Sequence, residues 1–171
     1  MITHPSARFA FAHPARIIAL GFGTGLAPVA PGTVGTALAY PIFMLLDWWL
    51  APLAVYDPRA KAAAIFGVIV VFFAIGIWAC GRTGRDLGVA DHSAMNWDEV
   101  VAMLLILLIV PGGWEWWLFA FFAFRFFDVI KPPPIRYIDR TMKGGLGVMF
   151  DDIVAAFYTL LVVAAVERFF F

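Results

Sequence analysis

Cysteine is nearly absent from this chain. Cys80 stands alone, within an apolar run, so an internal disulfide and a cysteine-based zinc site are both excluded, and packing is its expected role. Charge is scarce as well. Lys, Arg, Asp and Glu make up 14% of the residues, and twelve basic side chains balance twelve acidic ones. A chain without a basic excess has no electrostatic footprint for nucleic acid. Histidine occurs three times, and only His92 stands next to an acid, Asp91. No Gly-Lys-Ser/Thr closes the glycine-rich stretch near the N-terminus, so a Walker-type nucleotide loop is missing. Internal repeats, low-complexity tracts and linkers are also missing, and 171 residues suffice for one domain, 1–171.

Apolar side chains dominate instead. They form 63% of the chain, with mean hydropathy +0.90 and eighteen Phe residues, well above the roughly 45–50% apolar share of soluble domains. The composition predicts an all-α, polytopic membrane helical bundle. Residues 1–20 carry His4, Pro5, His13 and Pro14 and only a short apolar run. They read as an N-terminal arm or interfacial helix rather than a cleaved signal. Five apolar segments follow, near 34–53, 62–80, 99–110, 114–130 and 153–166, giving about four to five membrane helices. Segment 62–80 is free of charge and gives the clearest crossing signal. A straight crossing takes about 20 apolar residues. Segments 99–110 and 153–166 are shorter, so they need help from polar ends or a thinned bilayer, or segment 99–110 is a buried core helix.

Five crossings would put 1–33, 82–98 and 125–152 on one side. That side holds Arg8, Arg16, Arg82, Arg85, Arg125, Lys131, Arg136, Arg140 and Lys143, against Arg59, Lys61 and Arg168 on the other. The positive-inside rule makes the richer side cytoplasmic. Trp48, Trp49, Trp114, Trp116 and Trp117 then fall at outer ends, and Trp78 and Trp97 at inner ends, as an aromatic belt. Asp47, Glu115 and Glu167 read as acids at headgroup level on the outer side.

Three unusual loops share the cytoplasmic face. The first, 21–35, is rich in Gly and Pro and leads into a helix near Gly32 and Thr33. Such a helix start offers free N–H groups to an anion, or Thr33 merely caps it. The second loop carries Asp91 and His92 and ends in Asp98 and Glu99. His92 could act as an acid, although a lone His in a polar loop is more often just solvated. The third supplies Arg125 and Asp128, three apart and so on one helix face, then Lys131 before three prolines that end the helix. Asp151 and Asp152 open the last apolar run. One acid pair at a helix start is ordinary dipole chemistry. Two pairs with Asp128 nearby would repel each other unless a cation sits among them. Mg²⁺ suits such a place, taking one or two carboxylates plus waters and phosphate oxygens.

Carboxylates for a metal, Arg and Lys for phosphate, and an anion loop at headgroup depth point to phosphoryl chemistry on a lipid. Asp98, Glu99, Asp128, Asp151 and Asp152 form the catalytic pool, with Asp98, Glu99, Asp128 and Asp151 as metal ligands. Gly32, Thr33, Arg125, Lys131, Asp91 and His92 are the substrate-binding set. A histidine-type lipid phosphatase is excluded for want of its Arg-Pro and Ser-Gly-His motifs and a second His. A CDP-alcohol phosphotransferase is the nearest enzyme rival, but its spaced aspartates are not found. An ion or metal transporter would place its acids near the bilayer midplane.

The same stretches resemble the bacterial phosphatidylglycerophosphatase A family. They are Gly21-Phe22-Gly23-Thr24-Gly25 through Ala30-Pro31-Gly32-Thr33, then Asp91-His92 with Trp97-Asp98-Glu99. Phe124-Arg125-Phe126-Phe127-Asp128 with Lys131-Pro132 and Pro134-Ile135 follow, and Asp139-Arg140, Gly144-Gly145 and Asp151-Asp152-Ile153-Val154-Ala155 complete the set. The resemblance implies a Mg²⁺-dependent phosphatase of the bacterial inner membrane, all-helical and multi-pass. Its site would face the cytoplasm, and it would convert the lipid phosphatidylglycerophosphate to phosphatidylglycerol. Ala102 and Ala156 stand where Gly is expected, and Thr36 where Ser is common. These departures touch helix packing rather than the acids.

Overall fold

The computed structural model describes residues 5–170, and no strand occurs among them. Two short helices, α1 (Ala7–Ala10) and α2 (Pro14–Ala19), lead into a 3₁₀ turn over Gly21–Leu26. The long helices are α3 (Pro31–Trp49), α5 (Pro58–Leu87), α6 (Trp97–Ile109), α7 (Trp114–Ile130) and α9 (Gly145–Phe170), with short α4 (Ala51–Tyr56) and α8 (Ile135–Thr141) between. Proline sets several starts. Pro14, Pro31, Pro52 and Pro58 stand in the first two positions of α2, α3, α4 and α5, where an N–H is not needed by the helix. Asp57 caps α5 by accepting the Arg59 N–H at 2.9 Å, and Gly88, with φ 73°, closes it.

Helix α6 is the axis of the bundle. Val100, Val101, Ala102, Met103, Leu104 and Ile106 are fully buried, and α3, α5 and α9 pack around them. A helix apolar on every side belongs in a core. At about 20 Å for thirteen residues, α6 falls short of a bilayer core. Segment 99–110 is therefore buried at the centre of the bundle and is not among the helices long enough to cross a membrane unaided.

Segment 153–166 differs in the opposite sense. Its helix, α9, begins at Gly145 and runs 26 residues, about 39 Å. Segment 62–80 likewise lengthens into the 30 residues of α5. These two helices are long and apolar enough to cross a membrane, and only 28% of the apolar window of α5 is buried. Its Phe66, Val70, Val71 and Ile75 face outward. Segment 34–53 divides into α3 and α4 at Leu50, and α3 continues through Pro41.

Glycine sets how closely the helices approach. A Cβ on Gly145 would lie 1.9 Å from the Ile77 carbonyl oxygen, and one on Gly76 2.5 Å from Met149 Sδ. Only bare backbone allows α5 and α9 to cross there. The three departures from the family pattern are all fully buried: Ala102, Ala156 and Thr36. Thr36 satisfies its hydroxyl by donating to the Gly32 carbonyl at 3.0 Å.

The N-terminal arm docks on one end of α5. Arg16 pairs with Asp86 at 2.9 Å and lies over the Phe9 ring, while Ala15 and Ala19 are buried. At the opposite end Lys61 pairs with Asp47 at 2.5 Å. Residues 1–4 of the expected arm, with His4, lie outside the described residues. One tryptophan departs from the aromatic belt. Trp97 is buried, and its indole N–H donates to the Phe72 carbonyl of α5 at 3.1 Å. Trp48, Trp49, Trp78 and Trp114 are exposed.

Candidate active site

All three unusual loops meet at one end of the bundle, around a cavity of about 230 Å³. The start of α3 contributes Ala30, Pro31 and Gly32. The loop before α6 gives Asp91, Ser93 and Met95, and the first turn of α6 gives Asp98 and Glu99. Arg125 and Asp128 come from the end of α7, Lys131 from its cap, and Asp151 and Asp152 from α9.

Asn96, which no local signal marks, ties these pieces together. It is fully buried. Its amide donates to Thr24 Oγ1 at 3.0 Å and to the Pro31 carbonyl at 2.9 Å, and its backbone N–H donates to the Ala19 carbonyl at 3.0 Å. One side chain thus fixes the glycine turn and the α3 start against α6. Gly35 exists for the same contact, since a Cβ there would meet Asn96 Nδ2 at 2.7 Å.

Asp98 and Glu99 sit in the first turn of α6, as expected. Asp151 and Asp152 do not open their helix. They follow six and seven residues after Gly145, and the first turn of α9 holds no acid. The helix dipole falls off within the first turn, so it does not account for them. They are buried to 4% and 3% exposure, and burying a carboxylate without full pairing is costly.

Two cations answer this cluster. Arg125 Nη1 donates to Glu99 Oε1 at 3.0 Å and to Asp128 Oδ2 at 2.5 Å. Lys131 Nζ donates to Asp151 Oδ2 at 2.6 Å and to Asp139 Oδ1 at 2.8 Å. Burial would lower the Lys131 ammonium, but these two carboxylates outweigh it and hold the lysine above its usual value. Pairing remains incomplete. Asp98 Oδ1, Glu99 Oε2, Asp151 Oδ1, Asp152 Oδ2 and Arg125 Nε are buried with no hydrogen-bond partner. Four acids and one cation therefore keep free valences at one cavity. Oxygen donors of this kind fit a hard divalent cation. Among the described residues no three acids, histidines or cysteines converge as a metal sphere, so an ion here would take no more than two carboxylates in this arrangement and draw its other ligands from water or phosphate.

Backbone strain gathers here too. Ala30 and Lys131, both lining the cavity, have φ 48° and φ 47°, and Phe22 in the glycine turn has φ 56°. Left-handed conformations of this kind cost about 1–3 kcal/mol each and cluster at functional sites.

The expected substrate-binding residues divide. Gly32, Arg125, Lys131 and Asp91 line the cavity; Thr33 and His92 do not. Thr33 is not the cap of α3 either, because Ala30 takes that position and Pro31 the first helical turn. His92 is buried rather than solvated, and its Nδ1 accepts the Ala94 N–H at 3.1 Å. Sequence reasoning passed over Ser93, Asn96 and the partner of Lys131, Asp139.

Comparison with known proteins points the same way. The chain matches the family model described as phosphatidylglycerophosphatase A over residues 17–167. It is 38% identical over 165 residues to phosphatidylglycerophosphatase A of Haemophilus influenzae, covering 96% of this chain and 95% of the relative. It is 38% identical over 152 residues to phosphatidylglycerophosphatase A of Escherichia coli, covering 86% and 80%. At 38% over 151 residues it also matches a Bacteroides thetaiotaomicron protein named as a candidate phosphatidylinositol-3-phosphatase, covering 86% and 90%. No solved structure matches. With residues of all three loops gathered at one cavity, and a match across nearly the whole chain, this protein belongs to the phosphatidylglycerophosphatase A family.

Proposed function

We propose that this chain is a lipid phosphatase that hydrolyses the terminal phosphomonoester of phosphatidylglycerophosphate, giving phosphatidylglycerol and inorganic phosphate. The carrying observation is the set of buried, unpartnered carboxylate oxygens on Asp98, Glu99, Asp151 and Asp152 beside Arg125 and Lys131. Family membership supplies the substrate.

Mg²⁺ would be held by one or two carboxylates drawn from Asp98, Glu99, Asp128 and Asp151, with Asp152 lining the same cavity. When bound, the ion would neutralise charge on the phosphate oxygens. Arg125 stands between Glu99 and Asp128 and keeps its Nε free, so it has a donor left for a phosphate oxygen. Lys131, which lines the same cavity, offers a second positive charge. Gly32 keeps the wall beside Glu99 bare, letting the ester approach backbone. Asp152 Oδ2, buried without a partner, would take the proton from the attacking water as its oxygen bonds to phosphorus. The ester bond breaks, and the departing glycerol oxygen takes up that proton from the carboxyl group.

The remaining reading concerns the setting. A multi-pass arrangement in the bacterial inner membrane puts the cavity at the cytoplasmic headgroups, supported by the excess of Arg and Lys in the loops on that end. The test is phosphate release by purified protein in mixed micelles, with and without Mg²⁺, from phosphatidylglycerophosphate, phosphatidylinositol 3-phosphate and soluble glycerol phosphate. Release that needs Mg²⁺ and Asp128 and favours phosphatidylglycerophosphate is expected. Equal release from all three, or release unaffected by Asp128→Asn, would overturn the reading.

A further inference from the structure

Lys131 stands in the wall between two cavities. On one side is the acidic cavity it lines, with Asp151 at 5% side-chain exposure. On the other is a cavity of about 350 Å³ lined by Asp139, Met142, Lys143 and Gly144. Asp91 lines both. The ammonium pairs with one wall residue of each, at 2.6 Å from Asp151 and 2.8 Å from Asp139. Asp139 lies outside the acidic cavity and is far more open, at 34%. Among the described residues no other cation pairs with its carboxylate; Lys143 donates to the Asp139 backbone carbonyl instead.

We propose that Lys131 is a resident counter-cation of Asp151, which it yields to a divalent metal ion, and that Asp139 receives the displaced ammonium. Asp139 is then a positioning residue of the reaction. The inference rests on the reading of Asp151 as a metal ligand.

Four observations carry it. Asp151 has one oxygen committed to Lys131 and the other, Oδ1, buried without a partner. A divalent ion on that carboxylate would lie next to the ammonium, and two cations so close in a poorly hydrated site repel strongly. The lysine backbone is pinned, because its N–H donates to the Phe127 carbonyl at 2.8 Å and Pro132 follows. Motion must therefore come from the flexible four-carbon stem. The direction is set by Asp139, which Ile135 anchors by burying the start of α8. The neighbouring cavity gives the stem room to turn that way.

Asp139 thus lowers the cost of metal entry, and Lys131 raises it. Removing Asp139 leaves the ammonium no acceptor but Asp151. Removing Lys131 leaves Asp151 unopposed. The test is isothermal titration of the full chain in detergent micelles with Mg²⁺ alone. Asp139→Asn is expected to weaken Mg²⁺ binding about tenfold, and Lys131→Gln to tighten it. The double variant is expected to match Lys131→Gln within about twofold, since without the lysine Asp139 has nothing to receive. A Kd for Asp139→Asn within twofold of wild type would overturn the proposal, as would a double variant that keeps the full Asp139→Asn loss. Should Asp139→Asn fail to fold, Lys131→Gln decides alone: unchanged or weaker Mg²⁺ binding refutes the exchange. Asp151→Asn separates the two levels. If it binds Mg²⁺ like wild type, the metal assignment itself has failed. If it loses Mg²⁺ while Asp139→Asn does not, only the exchange has failed.

Discussion

Gly32→Ala adds a single methyl group at the wall of the cavity, and its effect follows from one distance. The new Cβ would lie 1.9 Å from Glu99 Oε1 and 3.1 Å from Arg125 Nη1. Ordinary contact begins near 3.4 Å, so the carboxylate oxygen must retreat by about 1.5 Å. That oxygen accepts the 3.0 Å bond from Arg125, and a retreat of this size breaks it. A misplacement of about 1 Å in a reacting constellation costs roughly 100-fold in rate, or about 2.7 kcal/mol of transition-state stabilisation. Stability should suffer less. Losing a charge-assisted bond costs about 1.5–3 kcal/mol, and the better helix propensity of Ala returns up to about 1 kcal/mol. Phosphate release from micellar phosphatidylglycerophosphate is then expected to fall about 100-fold, with the unfolding midpoint in detergent lowered by only a few degrees. Gly67→Ala is the control, because a Cβ there meets nothing within 4 Å. A Gly32→Ala enzyme within threefold of wild type would refute the placement of Glu99 and Arg125 at the reacting centre.

Other variants probe the remaining walls. Asp152→Asn relieves like-charge crowding among buried acids, so the metal-free protein should gain about 1 kcal/mol in unfolding free energy while phosphate release collapses; loss of both would make Asp152 structural. Arg125→Lys keeps one nitrogen for Glu99 and Asp128 but loses the unpartnered Nε donor, and kcat/KM is expected to drop about 100-fold with the fold intact; near-normal kinetics would remove Arg125 from the phosphate. Asn96→Ala deletes two buried donations and should cost about 2–3 kcal/mol in denaturant unfolding; an unchanged midpoint would refute its role as the tie. Thr33→Val lies outside the cavity and should keep activity within about twofold; a tenfold loss would return Thr33 to the phosphate.

Some of the architecture was legible because local signals agreed with tertiary ones. Helix α7 spans Trp114–Ile130, the interval read from the sequence, since Pro111 to Gly113 and Pro132 to Pro134 stop any helix on either side. Arg125 and Asp128 share a face because three residues separate them, and the structure pairs them at 2.5 Å. The pairing of Lys131 with Asp139 and Asp151 had no such guide, as it depends on how α8 folds back against α9. Glycine misled in the same region. Gly144, Gly145 and Gly147 fall in the stretch 125–152 read from the sequence as a loop, yet Gly145 and Gly147 lie inside α9. They are small because other backbone passes close by: a Cβ on Gly145 would meet the Ile77 carbonyl oxygen at 1.9 Å, and one on Gly147 the Met142 carbonyl oxygen at 1.9 Å. A missing side chain permits a turn and permits close packing equally well, and only the partner distinguishes them. The distinction changes the chemistry. With α9 starting at Gly145, Asp151 and Asp152 lose the helix-start explanation and stand as buried acids with unfilled oxygens. The correction to the helix boundary therefore makes the case for a bound cation stronger than the sequence alone could.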